Sequence, residues 1–584
     1  MLKHLGPIAI EYLTKLFNDV LQTAIIPPLW KTGRIIPLLK PGKPSNEGKS
    51  YRPVSLLSPL AKLMESLLLP HLQEAVPLKD HQHGFRKGRS CTTALHTITS
   101  HIKEGLNINK PVNRTVLVAV DLTCAFDTVS HEILIADIAK LNLDPFIKRF
   151  LCGYLRGRKT FVEFRNTKSK HRQMRQGVPQ GGVLSPTLFN LYVSTMPEPP
   201  PGIKLTSYAD DTTVQASGPK IPPLCKALNG YLKTLHEFFR SRNLGISPGK
   251  SSATVFSTWN QDMSAQLEIK IDGKAVPKVD NPKILGVFLD PLLTFGPHVK
   301  YIHEKVTKRN TILRALAGTS WGKEVETLNQ TYKAIGKSCI NYCAPIYSPT
   351  LSETNWETLQ RLQNSALRTA TGCVKKTEIG HLHSETKNLL VKNHNFMLSK
   401  QFYLSTKMSG HSNFSIPYNP PERLMKEDLG SLFEKEIEPF FSTTGNSESA
   451  HKIGIRAIHT EDVRKAISAL PPNKVLGQPA PDVSKDEKRL PRGTRTTLAQ
   501  LRSNYSPKLN SFLNACYPNL YDNSCPKCQQ SPHDTQHLFS CPADPTDLSV
   551  IKLWEDPVAA AEFLNLPTQD SPGNDDDGRQ GDPG

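Results

Sequence analysis

Apolar and polar positions change period several times along the chain, and each change predicts an element. The first 30 residues carry apolar side chains at helical intervals, interrupted by Lys3, His4, Glu11, Lys15 and Asp19. That pattern predicts an amphipathic helix and lacks the unbroken apolar core of a signal peptide. Residues 35–50 are basic and are held out of helix by Pro41 and Pro44, whereas PLAKLMESLLLPHLQEAV, which follows soon after Tyr51-Arg52-Pro53, resumes helical spacing. VLVAVD at 116–121 is a short, valine-rich apolar run ending in a carboxylate, which predicts a buried strand. Helical spacing covers 131–156. KLTSYADDTTVQA at 204–216 sets β-branched and aromatic residues on both sides of an acidic centre, as two antiparallel strands meeting at a tight turn require. Helical patterns then dominate 226–242 and 298–372.

Past about residue 400 the periodicity lapses into proline, serine and charge, most of all in PPNKVLGQPAPDVSKDEKRLPRGTR, which predicts a connector. The last fifteen residues have almost no apolar side chains and are expected to be disordered. No internal repeat is present. Composition adds a direction: 72 Lys+Arg against 53 Asp+Glu give a net charge of +19, a surface that attracts polyanions. Eleven scattered cysteines do not form the dense paired set of a secreted disulfide scaffold, and no run reaches the length of a membrane-spanning helix. These features imply an intracellular protein, neither secreted nor bound to a membrane.

The carboxylates decide the chemistry to look for. Joining a nucleotide to a primer end uses two divalent ions about 4 Å apart, so carboxylates must converge from separate strands. Asp121 closes one predicted strand, and Asp210 and Asp211 lie at the turn between two more, 89 positions further on. An Asp-Asp pair alone is common in exposed turns, but Tyr208-Ala209-Asp210-Asp211 between strand-like flanks is a narrower pattern.

YADD, VAVDLTCAFDTVSH at 118–131 and RQGVPQGGVLSPTLFNLYV at 175–193 resemble the three core palm motifs of non-LTR retrotransposon reverse transcriptases of the jockey-like kind, in that family's order and spacing. Further blocks agree: IIPLLKPGKP and SYRPVSLLSPLAKLMESLL within 35–68, HQHGFRKGRSCTTAL at 81–95, NLGISPGKS at 243–251 and ILGVFLD at 284–290. The resemblance spans about residues 30–375. It implies an α+β, right-hand polymerase with fingers, an antiparallel-sheet palm and a helical thumb, to which a small C-terminal zinc-knuckle-like module is added. The organisation that follows is an N-terminal helix and fingers over 1–115, palm over 116–295, thumb over 296–385, connector over 386–495, cysteine-histidine module over 496–550 and acidic tail over 566–584.

The resemblance also implies roles. Asp121, Asp210 and Asp211 hold two Mg²⁺ ions, with the backbone carbonyl of Leu122 as a further ligand. Phe126 matches the aromatic position that excludes a ribose 2′-hydroxyl, while Asp127 beside it is read as structural. Gln180, Gly181 and Gly182 lie against the incoming base and template. Arg52 and Lys40 reach the triphosphate, with Lys43 an alternative to Lys40; a guanidinium suits phosphate because it can bind two oxygens at once. Lys250 matches the lysine that protonates departing pyrophosphate. Residues 284–290 resemble the primer-grip hairpin, and Arg361 and Arg368 offer charge to a duplex backbone.

Cys525, Cys528, His537 and Cys541 have the spacing of a tetrahedral zinc site, with His533 as an alternative fourth ligand. Some non-LTR elements carry a similar C-terminal cluster. Lys527 is the only basic residue inside it, so the loop alone is a weak phosphate binder.

Nothing ahead of residue 30 has room for the endonuclease that commonly precedes such a polymerase, so the chain reads as N-terminally truncated, with target nicking supplied from elsewhere. The partners implied are an RNA template, a DNA primer or target DNA, and deoxynucleoside triphosphates. Action in the nucleus as well as the cytoplasm follows from integration chemistry in the family. Two readings compete: a catalytically silent, domesticated or degenerate nucleic-acid-binding remnant, against which the intact aspartates argue, and an RNA-dependent RNA polymerase, against which Phe126 and YADD argue.

Overall fold

The computed structural model describes residues 5–108, 111–165, 167–318, 322–408, 497–498, 524–529, 534–548 and 557–566. The chain divides into two compact units: Met1–Thr294 with Leu404–Lys474, and Phe295–Tyr403 with Val475–Gly584.

The first unit opens with helix α1 (Pro7–Thr23), which buries Phe17, Val20 and Leu21 and leaves Ile8 and Tyr12 exposed. Pro27 and Pro28 prevent its continuation. The basic stretch becomes strand β1 (Thr32–Leu39), which turns through the two prolines and pairs antiparallel with β2 (Tyr51–Leu56) in the register Leu38↔Arg52. Helix α2 (Pro59–Ala75) and helix α3 (Cys91–Asn107) follow, α3 starting from a capping box in which Ser90 accepts from the Thr93 amide.

Next come β3 (Arg114–Val120) and the two-residue β4 (Leu122–Thr123). The stretch 131–156 is not one helix but two, α4 (His131–Lys140) and α5 (Pro145–Leu155). Asp144 caps α5 by accepting from the Phe146 amide, and Pro145 takes its first position, where a missing N–H is harmless. Strand β5 (Lys159–Phe164) then pairs parallel with β1, and short strands β6 (Thr167–Lys168) and β7 (Arg172–Gln173) fold back onto it. After helix α6 (Ser185–Val193) come β8 (Ile203–Tyr208), β9 (Asp211–Gly218), helix α7 (Ile221–Ser241), the short β10 (Gly245–Ile246) and β11 (Ser252–Phe256).

Four of these strands form the central antiparallel sheet in the order β11-β3-β9-β8. Strand β3, one of its two inner strands, is covered on both sides, which is why it reads as an unbroken apolar run. Val116, Val118 and Val120 share a core with Leu228, Leu232 and Leu235 of α7. On the other face Gly105 of α3 comes so close to Thr115 and Ser217 that an added Cβ would lie 2.7 Å from the Thr115 hydroxyl. A two-stranded hairpin, Lys283–Ile284 with Val287–Phe288, occupies the region expected to be a hairpin.

In the second unit the helical run is broken into Gly296–Ala315, Val325–Tyr332, a π-helical turn at Lys333–Lys337, and Glu353–Thr371, with Leu313, Leu328, Tyr332, Ala366, Leu367 and Ala370 in one core. Helix continues beyond the predicted end of the thumb, over Ile379–Thr386 and Val391–Met408, so the connector does not begin as irregular chain at 386. Its proline-rich part and residues 567–584 of the acidic tail lie outside the described residues. Near the C-terminus, Leu498, Phe539, Ala560 and Ala561 form a small core. Among the described residues no helix is long and apolar enough to cross a membrane.

Candidate active site

β8 and β9 meet at a two-residue turn, Ala209-Asp210, closed by the pair Tyr208↔Asp211. Ala209 takes a left-handed conformation, φ 57°, which costs a non-glycine residue about 1 kcal/mol and is the kind of strain that clusters at functional sites. The turn is held from below by the HQHG segment. His83 N–H donates to the Ser207 carbonyl and Ser207 N–H donates to the His81 carbonyl, both at 2.8 Å, while the Gly84 carbonyl accepts from the Asn190 amide at 2.7 Å. Gly84 lies directly against the turn: a Cβ there would be 2.5 Å from the Ala209 nitrogen.

The β3–β9 register places Val120 opposite Thr212. Val120 is the last paired residue of β3, so Asp121 leaves that strand beside Asp211, where β9 begins. Asp210 joins them from the turn, and the three groups act on one another electrostatically. The Asp211 carboxyl is pushed up to about 6, by displacement of water around it and then by the charges of Asp210 and Asp121. It is exposed, yet neighbouring protein removes enough water to matter. Asp121 is also raised, by desolvation first; Lys250 and Lys40 oppose the shift and Asp210 adds to it. Asp210 is raised by desolvation, against which its own backbone N–H and Arg52 act. Three carboxylates that resist simultaneous ionisation form a donor set suited to divalent cations, whose charge removes the repulsion. By the chemistry of their donors the residues present fit a divalent cation.

Basic side chains reach this centre from β1 and β2. Lys40, whose ammonium also donates to the Lys49 carbonyl at 3.1 Å, is one of the charges acting on Asp121, whereas Lys43 sits in the exposed turn. Leu122 faces Ile246 of β10, and the neighbouring bond runs from Ser247 N–H to the Asp121 carbonyl. That pattern makes Leu122 and Ile246 a non-hydrogen-bonded pair, so the Leu122 carbonyl turns away from β10.

Phe126 stacks on the fully buried Phe189 at 4.5 Å between centroids, and Phe85 meets it edge-on at 6.4 Å. The loop ahead of α6 is tied to this segment and to β2. Val178 N–H donates to the Phe126 carbonyl, the Gln180 side-chain amide donates to Asp127 at 2.9 Å, and Ser55 N–H donates to the Gln180 carbonyl at 2.8 Å. Gly181, at φ 134°, passes so close to β2 that a Cβ would be 2.4 Å from the Ser55 carbonyl oxygen.

Sequence reasoning missed Glu65. This buried carboxylate accepts from the Val183 and Leu184 amides at 2.6 and 3.0 Å, fixing the loop ahead of α6, with the buried Arg158 guanidinium acting on it. A charged residue within the apolar run of α2 was the available signal. Of the arginines expected to face a duplex, Arg361 pairs with Glu357 on an exposed helix face and Arg368 donates to the Thr377 carbonyl at 3.2 Å.

Comparison with known families comes to the same region. A family model described as reverse transcriptase (RNA-dependent DNA polymerase) matches residues 40–289, the segment that holds all three aspartates. Residues 40–289 are a reverse transcriptase domain. Its relatives include a probable RNA-directed DNA polymerase from transposon BS of Drosophila melanogaster, 34% identical over 389 residues that make up 64% of this chain and 42% of that protein. The RNA-directed DNA polymerase from mobile element jockey of Drosophila funebris is 30% identical over 381 residues, 62% of this chain and 40% of that one. The chain thus spans about two-fifths of the length of these relatives. Among solved structures, apo telomerase from Candida Tropicalis aligns over 70% of this chain and 72% of that chain at 11% identity with a TM-score of 0.35. The reverse transcriptase domain ends close to the boundary between the two compact units.

In the second unit Cys525, Cys528, His537 and Cys541 come together, with all four ligand atoms within 4.8 Å of one another. Cys525 and Cys541 sulfurs are 3.8 Å apart, and the Cys528 sulfur is 3.2 Å from His537 Nε2. His533 lies outside the described residues. Lys527, the one basic residue of the loop, is paired with Asp544.

Proposed function

We propose that this chain is an RNA-directed DNA polymerase that extends a DNA primer on an RNA template, with Asp121, Asp210 and Asp211 as its metal-binding carboxylates. The observation that carries the reading is the placement of Asp121 at the end of β3 and of Asp210 and Asp211 at the β8–β9 turn, near enough for their charges to act on one another, within a reverse transcriptase domain. Two Mg²⁺ ions bound there supply activation of the primer 3′-hydroxyl and charge neutralisation of the triphosphate. The chain's own residues do the rest. Asp121, Asp210, Asp211 and the Leu122 carbonyl would hold the metals. Arg52 and Lys40 bind the triphosphate oxygens, and Lys250 gives a proton to the departing pyrophosphate. Phe126, stacked on Phe189 and met edge-on by Phe85, would be the wall against a 2′-hydroxyl, which selects deoxynucleotides. Gln180 and Gly181 present the loop between β7 and α6 to the base. The helices from Gly296 to Thr371 serve as the thumb.

For the C-terminal cluster the proposed ion is Zn²⁺. A tetrahedron with zinc–sulfur bonds of about 2.3 Å has a sulfur–sulfur edge of about 3.8 Å, which is the Cys525–Cys541 separation.

The test is primer extension on an RNA template with Mg²⁺, comparing the native chain with Asp210→Asn/Asp211→Asn and offering deoxy- or ribonucleotides. DNA synthesis by the native chain alone is expected, with the variant as stable as the native chain or more so, because the substitutions remove mutual repulsion. Undiminished extension by the variant overturns the metal role. Template binding without synthesis by either protein replaces the polymerase with a binding remnant, and a preference for ribonucleotides sinks the DNA product.

A further inference from the structure

Asp121 sits in a gap between two ladders. β3 pairs with β11 through Ala119↔Ser252, whereas β4, which begins one residue past Asp121, pairs with β10 through Leu122↔Ile246. The five residues between β10 and β11, Ser247-Pro248-Gly249-Lys250-Ser251, bridge that gap from the side. Ser247 N–H donates to the Asp121 carbonyl at 2.8 Å, and Asp121 N–H donates to the Ser251 hydroxyl at 3.1 Å. Ser251 in turn donates its hydroxyl proton to the Ser247 carbonyl at 2.8 Å. The same carbonyl accepts the amides of Ser251 at 2.9 Å and Lys250 at 3.2 Å, so one oxygen closes the whole turn. Ser251 is only 1% exposed, out of reach of substituting solvent.

We propose that Ser251 is a positioning residue for the metal-binding carboxylate, its hydroxyl fixing the peptide ahead of Asp121 and so the direction in which that side chain leaves the sheet. The inference rests on the polymerase reading of the three aspartates. A single hydroxyl serves both partners here, accepting from Asp121 and donating to Ser247, a combination that no apolar side chain supplies. Without it the partly buried N–H at Asp121 lacks this acceptor, and the peptide rotates in search of another. Misplacement of a catalytic group by roughly 1 Å is enough to spoil its geometry. Because Lys250 belongs to the same turn and its charge acts on Asp121, the turn sets the carboxylate and the proposed proton donor together.

The experiment uses the full chain with Ser251→Cys, near in shape but a poor hydrogen-bonding group, Ser251→Ala as a second hydroxyl-free variant, and Ser251→Thr, which keeps the hydroxyl. Two quantities are read: the Mg²⁺ concentration for half-maximal primer extension, and Mn²⁺ binding without nucleotide, followed by the electron paramagnetic resonance of free Mn²⁺. Cys and Ala are expected to raise the metal requirement in both assays about tenfold, as loss of a group behind a metal ligand does, with Thr within about twofold of native and template–primer binding without metal unchanged. A purely structural serine would lower the melting temperature and leave both metal titrations where they were; that result, or an equal rise with Thr, overturns the proposal. If the native chain itself fails to extend a primer, the polymerase reading falls, and the Mn²⁺ titration still decides the role of Ser251.

Discussion

Gly181 shows how far one missing side chain reaches. Its φ of 134° is open to glycine and its Cα faces the Ser55 carbonyl, so a methyl group at 2.4 Å from that oxygen must push the loop off β2. The loop also carries Gln180 and leads into α6, so the displacement moves the proposed nucleotide contacts. Gly181→Ala is expected to reduce extension by about two orders of magnitude while the chain stays folded; steady-state kinetics against deoxynucleotide concentration, alongside a melting curve, separate the two effects. Nothing in the local sequence announces the reason, since the obstructing oxygen belongs to a residue 126 positions earlier. That Asp121 follows a strand and that Asp210 and Asp211 lie at a tight turn was legible because strand ends and tight turns are local patterns. Glu65 and Ser251 were not, because their partners are backbone groups brought close only by the fold.

Among elements, β8 depends on its surroundings more than its sequence shows. Its end is steadied by the 81–83 segment, which brings His81 into a setting whose side chain is only 7% exposed. Burial lowers His81 to about 4 against its ordinary 6.5; Glu198 and Asp80 oppose the shift, while Lys79 and Arg89 reinforce it. Between about 6.5 and 4 the unfolded chain takes up a proton that the folded one refuses, so stability is complete above that window and declines as the pH falls through it. Melting temperatures from pH 7 to 4.5 are expected to drop, and His81→Gln to flatten part of the slope; a slope identical in both proteins removes His81 as a cause. The same scale explains two differences from the pattern of apolar residues. The division between α4 and α5 was written in Asp144-Pro145, a cap followed by a helix-starting proline, but the flanking periodicity hides it. The parallel pairing of β1 with β5 leaves no local mark at all, because its partners are more than a hundred residues apart.

At the scale of the molecule, the net charge of +19 agrees with a polyanionic partner without identifying it. The two compact units carry different candidate donors: carboxylate oxygens at the sheet of the first, sulfur and imidazole in the second. Protein prepared with both Zn²⁺ and Mg²⁺ is therefore expected to retain one zinc per chain through gel filtration, and Cys525→Ser/Cys541→Ser to retain none, as measured by atomic emission. Zinc-free native protein under those conditions would count against the site.

The change of partner at Asp121 bears on how such a sequence decays. Up to that residue the strand is measured against β11, and beyond it against β10. Losing a single codon beside Asp121, at 119–120 or at 122–123, would leave YADD and every carboxylate legible, yet it would throw one of the two alignments out of step and turn side chains to the opposite face. A drifting gene copy can therefore keep its whole signature and have no working centre, so the count of residues across this junction is as telling as the motif beside it.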